Sequence, residues 1–373
     1  MSGIYIHIPF CARRCVYCGF FSTTHDALRS AYVRAVVNEL GLRRTYLGDS
    51  DVSTIYIGGG TPSHLALDDL KLLLRSVLEA APRATEVTVE CNPDDVTPAL
   101  CDGLLSMGVN RVSMGIQSFD DARLRQLHRR HDAHQALEAV EMLQRAGFRN
   151  VSIDLMFGFP GQTLQEFECD LDRALQLDVP HLSAYSLMYE EGTPLYRQLE
   201  QGLIRETDEE TLRRMYDRLC DRLTAAGYEH YEISNFAHPG YRSRHNSSYW
   251  TATPYLGLGA GAHSYDLRSR QWNVSDVEAY IRSIERGEVP CEREELDTPT
   301  RVNDRITTSL RTCEGLDLDA IAQTEGERYA HLILESSEPY LRDGLLRRSG
   351  QHLILTRAGI HVSDLIMSDL MIV

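Results

Sequence analysis

The chain has 373 residues, of which 43% are hydrophobic and 25% charged, with 38 Lys plus Arg against 54 Asp plus Glu for a net charge of −16. That length suggests about two or three domains around a large core, and the composition excludes collagen-like, disordered and disulfide-scaffold classes. The negative charge repels nucleic-acid phosphates and anionic lipid, so general nucleic-acid binding is disfavoured.

In chain order, β-rich runs at Ile4–Ile8, Thr54–Ile57, Glu86–Glu90, Arg111–Gly115, Ser152–Phe157 and His181–Leu187 predict six strands. Between them, apolar residues at three- and four-residue spacing predict helices around 28–47, 66–80, 98–106, 120–128 with 133–146, and 164–177. Parallel strands need such right-handed crossovers, so the repeat predicts an α/β fold wound as a barrel or partial barrel. Several strands end on polar tails: Gly58-Gly59-Gly60-Thr61, Glu90-Cys91-Asn92 and Gln117-Ser118. Functional groups in parallel α/β folds sit at the carboxyl ends of strands, so these tails are expected to converge on one site. Six strands close incompletely and leave a lateral opening for a large substrate.

Past residue 190 the alternation gives way to a helical region at 207–226, a strand at 228–233 and a turn-rich stretch from His238 to Gly261. The organisation is expected to change near residue 250, giving a core of residues 1–250 and a module of residues 251–373. Residues 269–291 read as a helix, 301–321 and their successors as two or three helices, and 344–356 as a hairpin around Ser349-Gly350 before a helical tail. Helices followed by a hairpin resemble a small winged-helix-like module.

No apolar run reaches the length of about eighteen residues that a membrane helix needs, and MSGIYIHIPF lacks the features of a secretory signal, so a cytoplasmic location is expected. Nine cysteines, an odd number in such a chain, point to reduced thiols. Only Cys11, Cys15 and Cys18 cluster, on the loop after the first strand. Three thiolates can ligate three irons of a [4Fe–4S] cluster and leave the fourth open to a small molecule. Zinc, completed by His7 or His25, is the alternative. Cys91, Cys101, Cys169, Cys220, Cys291 and Cys313 have no partners at ligand spacing and read as small apolar fillers. His128, His131 and His134 read as a solvated helix face.

The triad CxxxCxxC after a first strand, with Tyr17 before the third cysteine, resembles the radical S-adenosylmethionine (SAM) superfamily. Gly58-Gly59-Gly60-Thr61-Pro62 on the second strand matches that superfamily's glycine motif, where bare backbone approaches the methionine amino group of SAM. The stretches YIHIPFC, IYIGGGTPS, VTVECNP, NRVSMGIQS, VSIDLMFGFPGQT and LSAYSLMYEEGTP narrow the resemblance to the oxygen-independent coproporphyrinogen oxidase branch and its heme-chaperone relatives, over nearly the whole chain. The resemblance implies a radical SAM partial (β/α)6 barrel in which Tyr5, Tyr17, Gly59, Gly60, Thr61, Glu90, Gln117, Arg129 and Asp154 line the SAM site. Carboxylates suit the ribose hydroxyls or the amino group, and Arg129 suits the methionine carboxylate.

Three features favour the chaperones over the oxidase. Phe20 stands where the oxidase pattern has a fourth cysteine, and only ten residues precede Cys11. His245-Asn246-Ser247-Ser248-Tyr249-Trp250 resembles the chaperones' HNxxYW signature. The resemblance implies heme binding with His245 as axial ligand, Asn246, Tyr249 and Trp250 beside it, and Arg242 and Arg244 near the propionates. The implied partners are heme and apo-hemoprotein acceptors such as respiratory cytochromes, with no nucleic acid and with peripheral membrane contact through clients left open. An active radical enzyme, abstracting hydrogen or methylating a porphyrin-like or other substrate, is the alternative; coproporphyrinogen oxidation is not expected.

Overall fold

All six predicted strands form and lie parallel in chain order in the computed structural model, which describes residues 2–48 and 50–372. They are β1 (Ser2–Ile8), β2 (Val52–Gly59), β3 (Glu86–Cys91), β4 (Arg111–Gln117), β5 (Asn150–Phe157) and β6 (His181–Ser186). The crossovers carry α1 (Arg29–Leu42), α2 (Leu67–Ala80), α3 (Pro98–Ser106), α4 (Asp121–Gln126), α5 (Ala133–Ala146) and α6 (Leu164–Gln176). Local signals set the helix ends: Asp132 with Gln135 and Thr163 with Glu166 form reciprocal capping boxes at the starts of α5 and α6.

The strands have two unlike faces, because successive side chains point to opposite sides. One alternate set is apolar and packs under the helices: Ile4 and Ile6, Ile55 and Ile57, Val87 and Val89, Val112 and Met114, Ile153 and Leu155, Leu182 and Ala184. The other set is polar and lines the lumen, where the Tyr56 hydroxyl donates to Glu90, Ser113 to Asp154, and Ser152 meets His181. Burial of the outer set stabilises the barrel, while the lumen keeps groups able to bind a polar ligand.

The sheet stays open and is lengthened at both edges. After α7 (Pro194–Glu200) and α8 (Glu209–Ala225), the predicted strand at 228–233 appears as β7 (Glu229–Glu232), and β8 (Asn235–Ala237) joins it antiparallel to β6. The stretch expected to be turns contains α9 (Arg244–Trp250) and β9 (Tyr255–Leu258), and β9 pairs parallel with β1. Residues 269–291 are not one helix: β10 (His263–Tyr265), β11 (Ser269–Asn273) and β12 (Cys291–Glu295) extend the sheet, and only α10 (Val277–Glu285) between them is helical. Asp276 caps α10 through the Ala279 N–H, which is why the helix starts after the strand.

Buried groups of α1 fasten this extension. The Glu39 carboxylate accepts from the Gly259 N–H at 2.8 Å, the Asn273 amide at 2.8 Å and the Tyr280 hydroxyl at 2.6 Å, while Arg43 donates to the Gly257 carbonyl at 3.0 Å. The expected boundary at residue 250 therefore falls within the sheet, and residues 255–285 share the barrel's core.

A second core begins at Val302. It is built by α11 (Thr298–Ser309), α12 (Leu318–Thr324) and α13 (Glu327–Arg342) against β13 (Leu316–Asp317), β14 (Leu346–Ser349) and β15 (His352–Leu355), with α14 (Arg357–Ile360) and α15 (Ser363–Leu370) following. β14 and β15 form the predicted hairpin, which is the wing of a winged-helix-like module. Among the six lone cysteines, Cys91, Cys101 and Cys220 fill apolar space, whereas Cys169, Cys291 and Cys313 are exposed and fill none. His131 departs from the solvated face as well: it lies in the loop between α4 and α5 and is buried, with Nε2 on the Ile116 carbonyl of β4 at 3.0 Å. No helix among the described residues is long and apolar enough to cross a membrane.

Candidate functional site

The strand tails converge as their position predicts. A cavity of about 660 Å³ opens at the carboxyl end of the sheet, and Cys11, Tyr17, Cys15 and Cys18 line it together with Gly59, Gly60, Thr61, Glu90, Gln117, Arg129, Asp154 and Asn246. The cysteine loop is held by chain pairing: the Cys11 N–H donates to the Thr23 carbonyl, the Thr23 N–H to the Pro9 carbonyl, and the Val16 N–H to the Leu127 carbonyl.

Burial pushes the Cys11 thiol up, against the pull of the Thr61 hydroxyl, which donates to its sulfur at 3.5 Å; Cys18 is raised by burial too. Thiols of this kind give up protons when iron binds. Among the described residues, no three His, Cys, Asp or Glu side chains group as ligands of a single ion. His7, a candidate for zinc, is closed on both ring nitrogens, by the Tyr5 hydroxyl and the Phe21 carbonyl, each at 2.9 Å. Three cysteines sharing one open cavity fit a cluster with a free iron.

The glycine motif leaves no room for side chains. At Gly59, with φ +110°, a Cβ would stand 2.5 Å from the His7 ring; at Gly60 it would stand 2.9 Å from the Ile8 carbonyl oxygen and 3.0 Å from the Cys11 sulfur. Bare backbone here brings the second strand against the cysteine loop and leaves the cavity wall open to a small ligand.

Arg129 is placed by three partners: it donates to Asn92 Oδ1 at 2.7 Å, to the Gly115 carbonyl, and to the Cys15 sulfur at 3.5 Å. Its neighbour Arg130 turns away to Asp94 and Asp95. Asn92 also donates to the Thr61 hydroxyl at 3.3 Å, tying the third strand's tail to the glycine motif. It was visible in sequence as part of that tail, but nothing there singled out its role. Gln117 reaches the cavity from a left-handed backbone, φ +71°, that few non-glycine residues adopt. Tyr5 does not line the cavity; it lies among Tyr56, His7 and His245.

Burial raises Glu90 to about 7, helped by Asp154 and opposed by the Tyr56 hydroxyl, the Gly59 N–H and Arg111. It raises Asp154 to about 6, opposed by Ser183, Arg111, Ser113 and Arg129. In the free protein these raised carboxyls favour the fold at acid pH and lose that contribution as pH climbs through about 6 to 7. A cationic ligand reverses the sign by favouring the ionised forms. Were SAM that ligand, as the resemblance implies, its affinity would rise with pH up to about 7 and then level off, with proton release on binding below that value. Calorimetry of SAM binding at acid pH in buffers of different ionisation enthalpy counts those protons; a pH-independent affinity would remove both carboxylates from the site.

The HNSSYW segment is α9, which lies under the strands and sends only Asn246 into the cavity. Its start is capped by Ser243 and by Glu86 across the lumen, whose carboxylate accepts from the N–H groups of Arg244 at 3.0 Å and His245 at 2.9 Å. His245 has 0% exposure. Its Nδ1 meets the Thr54 hydroxyl at 2.8 Å and its Nε2 the Tyr249 hydroxyl at 2.9 Å, and the ring stacks on Tyr56 with centroids 5.2 Å apart. Burial, with Arg111 adding, lowers it to about 3, so the imidazole is neutral. Trp250 lies outside the cavity under the Arg311 guanidinium, 5.1 Å from the ring centroid. The arginines expected near propionates are engaged elsewhere: Arg242 pairs with Glu229 and Glu314, and Arg244 donates to Thr85. Sequence reasoning did not assign Met188 to the rim, where it is 63% exposed beside Phe20 at 69%.

Residues 5–174 match the radical SAM superfamily and residues 296–362 the HemN C-terminal domain. The heme chaperone HemW of Bacillus subtilis is 36% identical over 366 residues, covering 96% of each chain. HemW of Escherichia coli is 39% identical over 265 residues, covering 70% of this chain and 69% of its own. Among solved structures, the coproporphyrinogen III oxidase HemN of Escherichia coli, described as a radical SAM enzyme, superposes with a TM-score of 0.85 at 22% identity, over 99% of this chain and 89% of its own.

Proposed function

Since the chain belongs to the HemW family of radical SAM proteins, we propose that it is a heme chaperone, one that binds a single heme and passes it to apo-proteins such as respiratory cytochromes. The observation that carries this reading is Phe20: an exposed phenyl ring at the cavity mouth stands where the oxidase pattern has a cysteine, and it offers a porphyrin apolar surface. The proposed [4Fe–4S] ligands are Cys11, Cys15 and Cys18, and the cluster supplies one iron with an open coordination position. Gly59, Gly60, Thr61, Glu90, Gln117, Arg129 and Asp154 hold SAM in this reading, with Tyr5 and Tyr17 packed beneath and beside it.

His245 is the proposed heme ligand. Its neutral ring is the form that binds iron, and the hydrogen bond between Nδ1 and the Thr54 hydroxyl orients the other nitrogen, as a second partner does in metal-bound imidazoles. Ligation requires the Tyr249 hydroxyl to leave Nε2. Asn246, Tyr249 and Trp250 then flank the ligand. The proposed place of action is the cytoplasm.

An absorbance-monitored heme titration of the anaerobically reconstituted protein tests the reading. One heme per chain, held at low micromolar concentration and delivered to a heme-depleted cytochrome, is expected; a wild-type protein that holds no heme would overturn it. The cavity residues proposed for SAM favour a second reading, an active radical enzyme. Release of 5′-deoxyadenosine in step with a modified substrate would support that alternative, and coproporphyrinogen is expected to remain unconverted.

A further inference from the structure

Arg111 begins β4, and its side chain is 1% exposed on the lumen side of the sheet. Among the described residues it forms no ion pair within 4.0 Å, and its Nε and Nη1 have no hydrogen-bond partner. Thr88, its register neighbour on β3, is also buried with an unpartnered hydroxyl. A guanidinium used as a structural staple would be hydrogen-bonded, since a buried charge is tolerated when its donors are satisfied. Arg111 instead lies below the cavity lining, two residues before Ser113 on the same strand face, while Glu90 stands two residues after Thr88 on β3.

We infer that Arg111 is a positioning residue for SAM: from beneath the cavity, its unpaired guanidinium favours the anionic carboxylates of Glu90 and Asp154 that receive the ligand's cationic groups. This rests on the reading of the cavity as a SAM site.

Arg111 acts beside shorter-range partners of the two carboxylates. Glu90 is faced by the Tyr56 hydroxyl, the Gly59 N–H, Asp154 and, at longer range, Tyr5 and Tyr249. Asp154 is faced by Ser113, Ser183, Tyr56 and Tyr185, and by Arg129 from above. Arg129 is committed to Asn92, the Gly115 carbonyl and Cys15. Lower in the lumen, His181 and His245 are held neutral by burial with Arg111 adding to the effect, and Glu86 is turned to the N–H groups of α9. Among the described residues, the lumen thus carries Glu90 and Asp154 at its upper end and Arg111, without an ion-pair partner, below them.

The test is SAM affinity against pH, measured by calorimetry on the reconstituted holoprotein. In Arg111→Met the rising limb of the profile is expected to move to higher pH by about one unit or more, with affinity recovering at alkaline pH. Arg111→Lys is expected to restore most of the wild-type profile. Thr88→Asp keeps the arginine and gives it a counter-ion, so it is expected to shift the limb in the same direction and serves if the methionine variant does not fold. A uniform loss of affinity with no shift of the limb, or an unshifted profile in Thr88→Asp, would overturn the role of Arg111. Wild-type protein that binds no SAM at any pH would instead overturn the reading of the cavity itself.

Discussion

Replacing His245 by alanine is expected to weaken heme binding by about tenfold or more and to remove the imidazole signature from the heme spectrum, while Tyr249→Phe is expected to tighten it. The opposite signs follow from one hydrogen bond. Both substitutions break the contact between Nε2 and the Tyr249 hydroxyl, so a purely structural role for that contact would make the two variants alike. A ligand role separates them, because alanine removes the iron's partner and phenylalanine removes only its competitor. Each variant is expected to lose stability, by about 1 kcal/mol for the tyrosine and about 2–4 kcal/mol for the histidine, whose ring packs between Tyr56 and Tyr249. Parallel titrations of the two purified variants, with urea unfolding as control, decide the matter. Unchanged heme affinity in His245→Ala would move the ligand to another residue.

Glu39→Ala is expected to cost about 3–5 kcal/mol of stability, the loss associated with breaking a buried charged network. The side chain has 0% exposure, so bulk solvent does not reach the groups that donate to it. Its removal strands the Gly259 N–H and the Tyr280 hydroxyl, leaves the Asn273 amide only the Gly259 carbonyl, and takes from Arg43 its buried carboxylate at 3.3 Å. Glutamine keeps one acceptor and the side-chain volume, so Glu39→Gln should lose about half as much. Urea unfolding followed by tryptophan fluorescence reads the effect where it arises, since Trp272 lies on β11 of the fastened extension. A loss below about 1 kcal/mol in the alanine variant would show that α1 does not fasten the added strands.

The sequence disclosed the barrel because each of its six strands is covered on one face by helices and needs a β-branched or aliphatic residue at every second position. The site followed from the same regularity: polar tails at strand ends meet wherever parallel strands are wound side by side. The extension from β8 to β12 was harder to read because its strands have two unlike reasons to exist. β9 is held by pairing with β1, whereas β12 is exposed along its whole length and owes its conformation to β11 alone. Neither leaves a periodic signature of its own. α9 was missed for a related reason. His, Asn, Ser and Tyr are modest helix formers, and the segment is helical because Glu86, far away in the chain, caps it. The sequence placed His245 beside aromatics but could not show that both its nitrogens are occupied. Arg111 was hidden in plain view within NRVSMGIQS, since an arginine at the start of a strand reads as solvated until the lumen beneath it is seen.

The two faces of the six barrel strands divide the chain's inheritance between them. Thr54, Tyr56, Glu86, Thr88, Glu90, Arg111, Ser113, Ser152, Asp154, His181 and Ser183 alternate with the aliphatic residues that pack under the helices. A substitution in the first set changes what the lumen can hold and leaves the helix contacts intact; one in the second set changes folding and leaves the lumen's chemistry intact. Lineages that share this architecture can therefore drift in ligand and reaction while conserving the scaffold, and the parity of a strand position tells which kind of drift a given change represents.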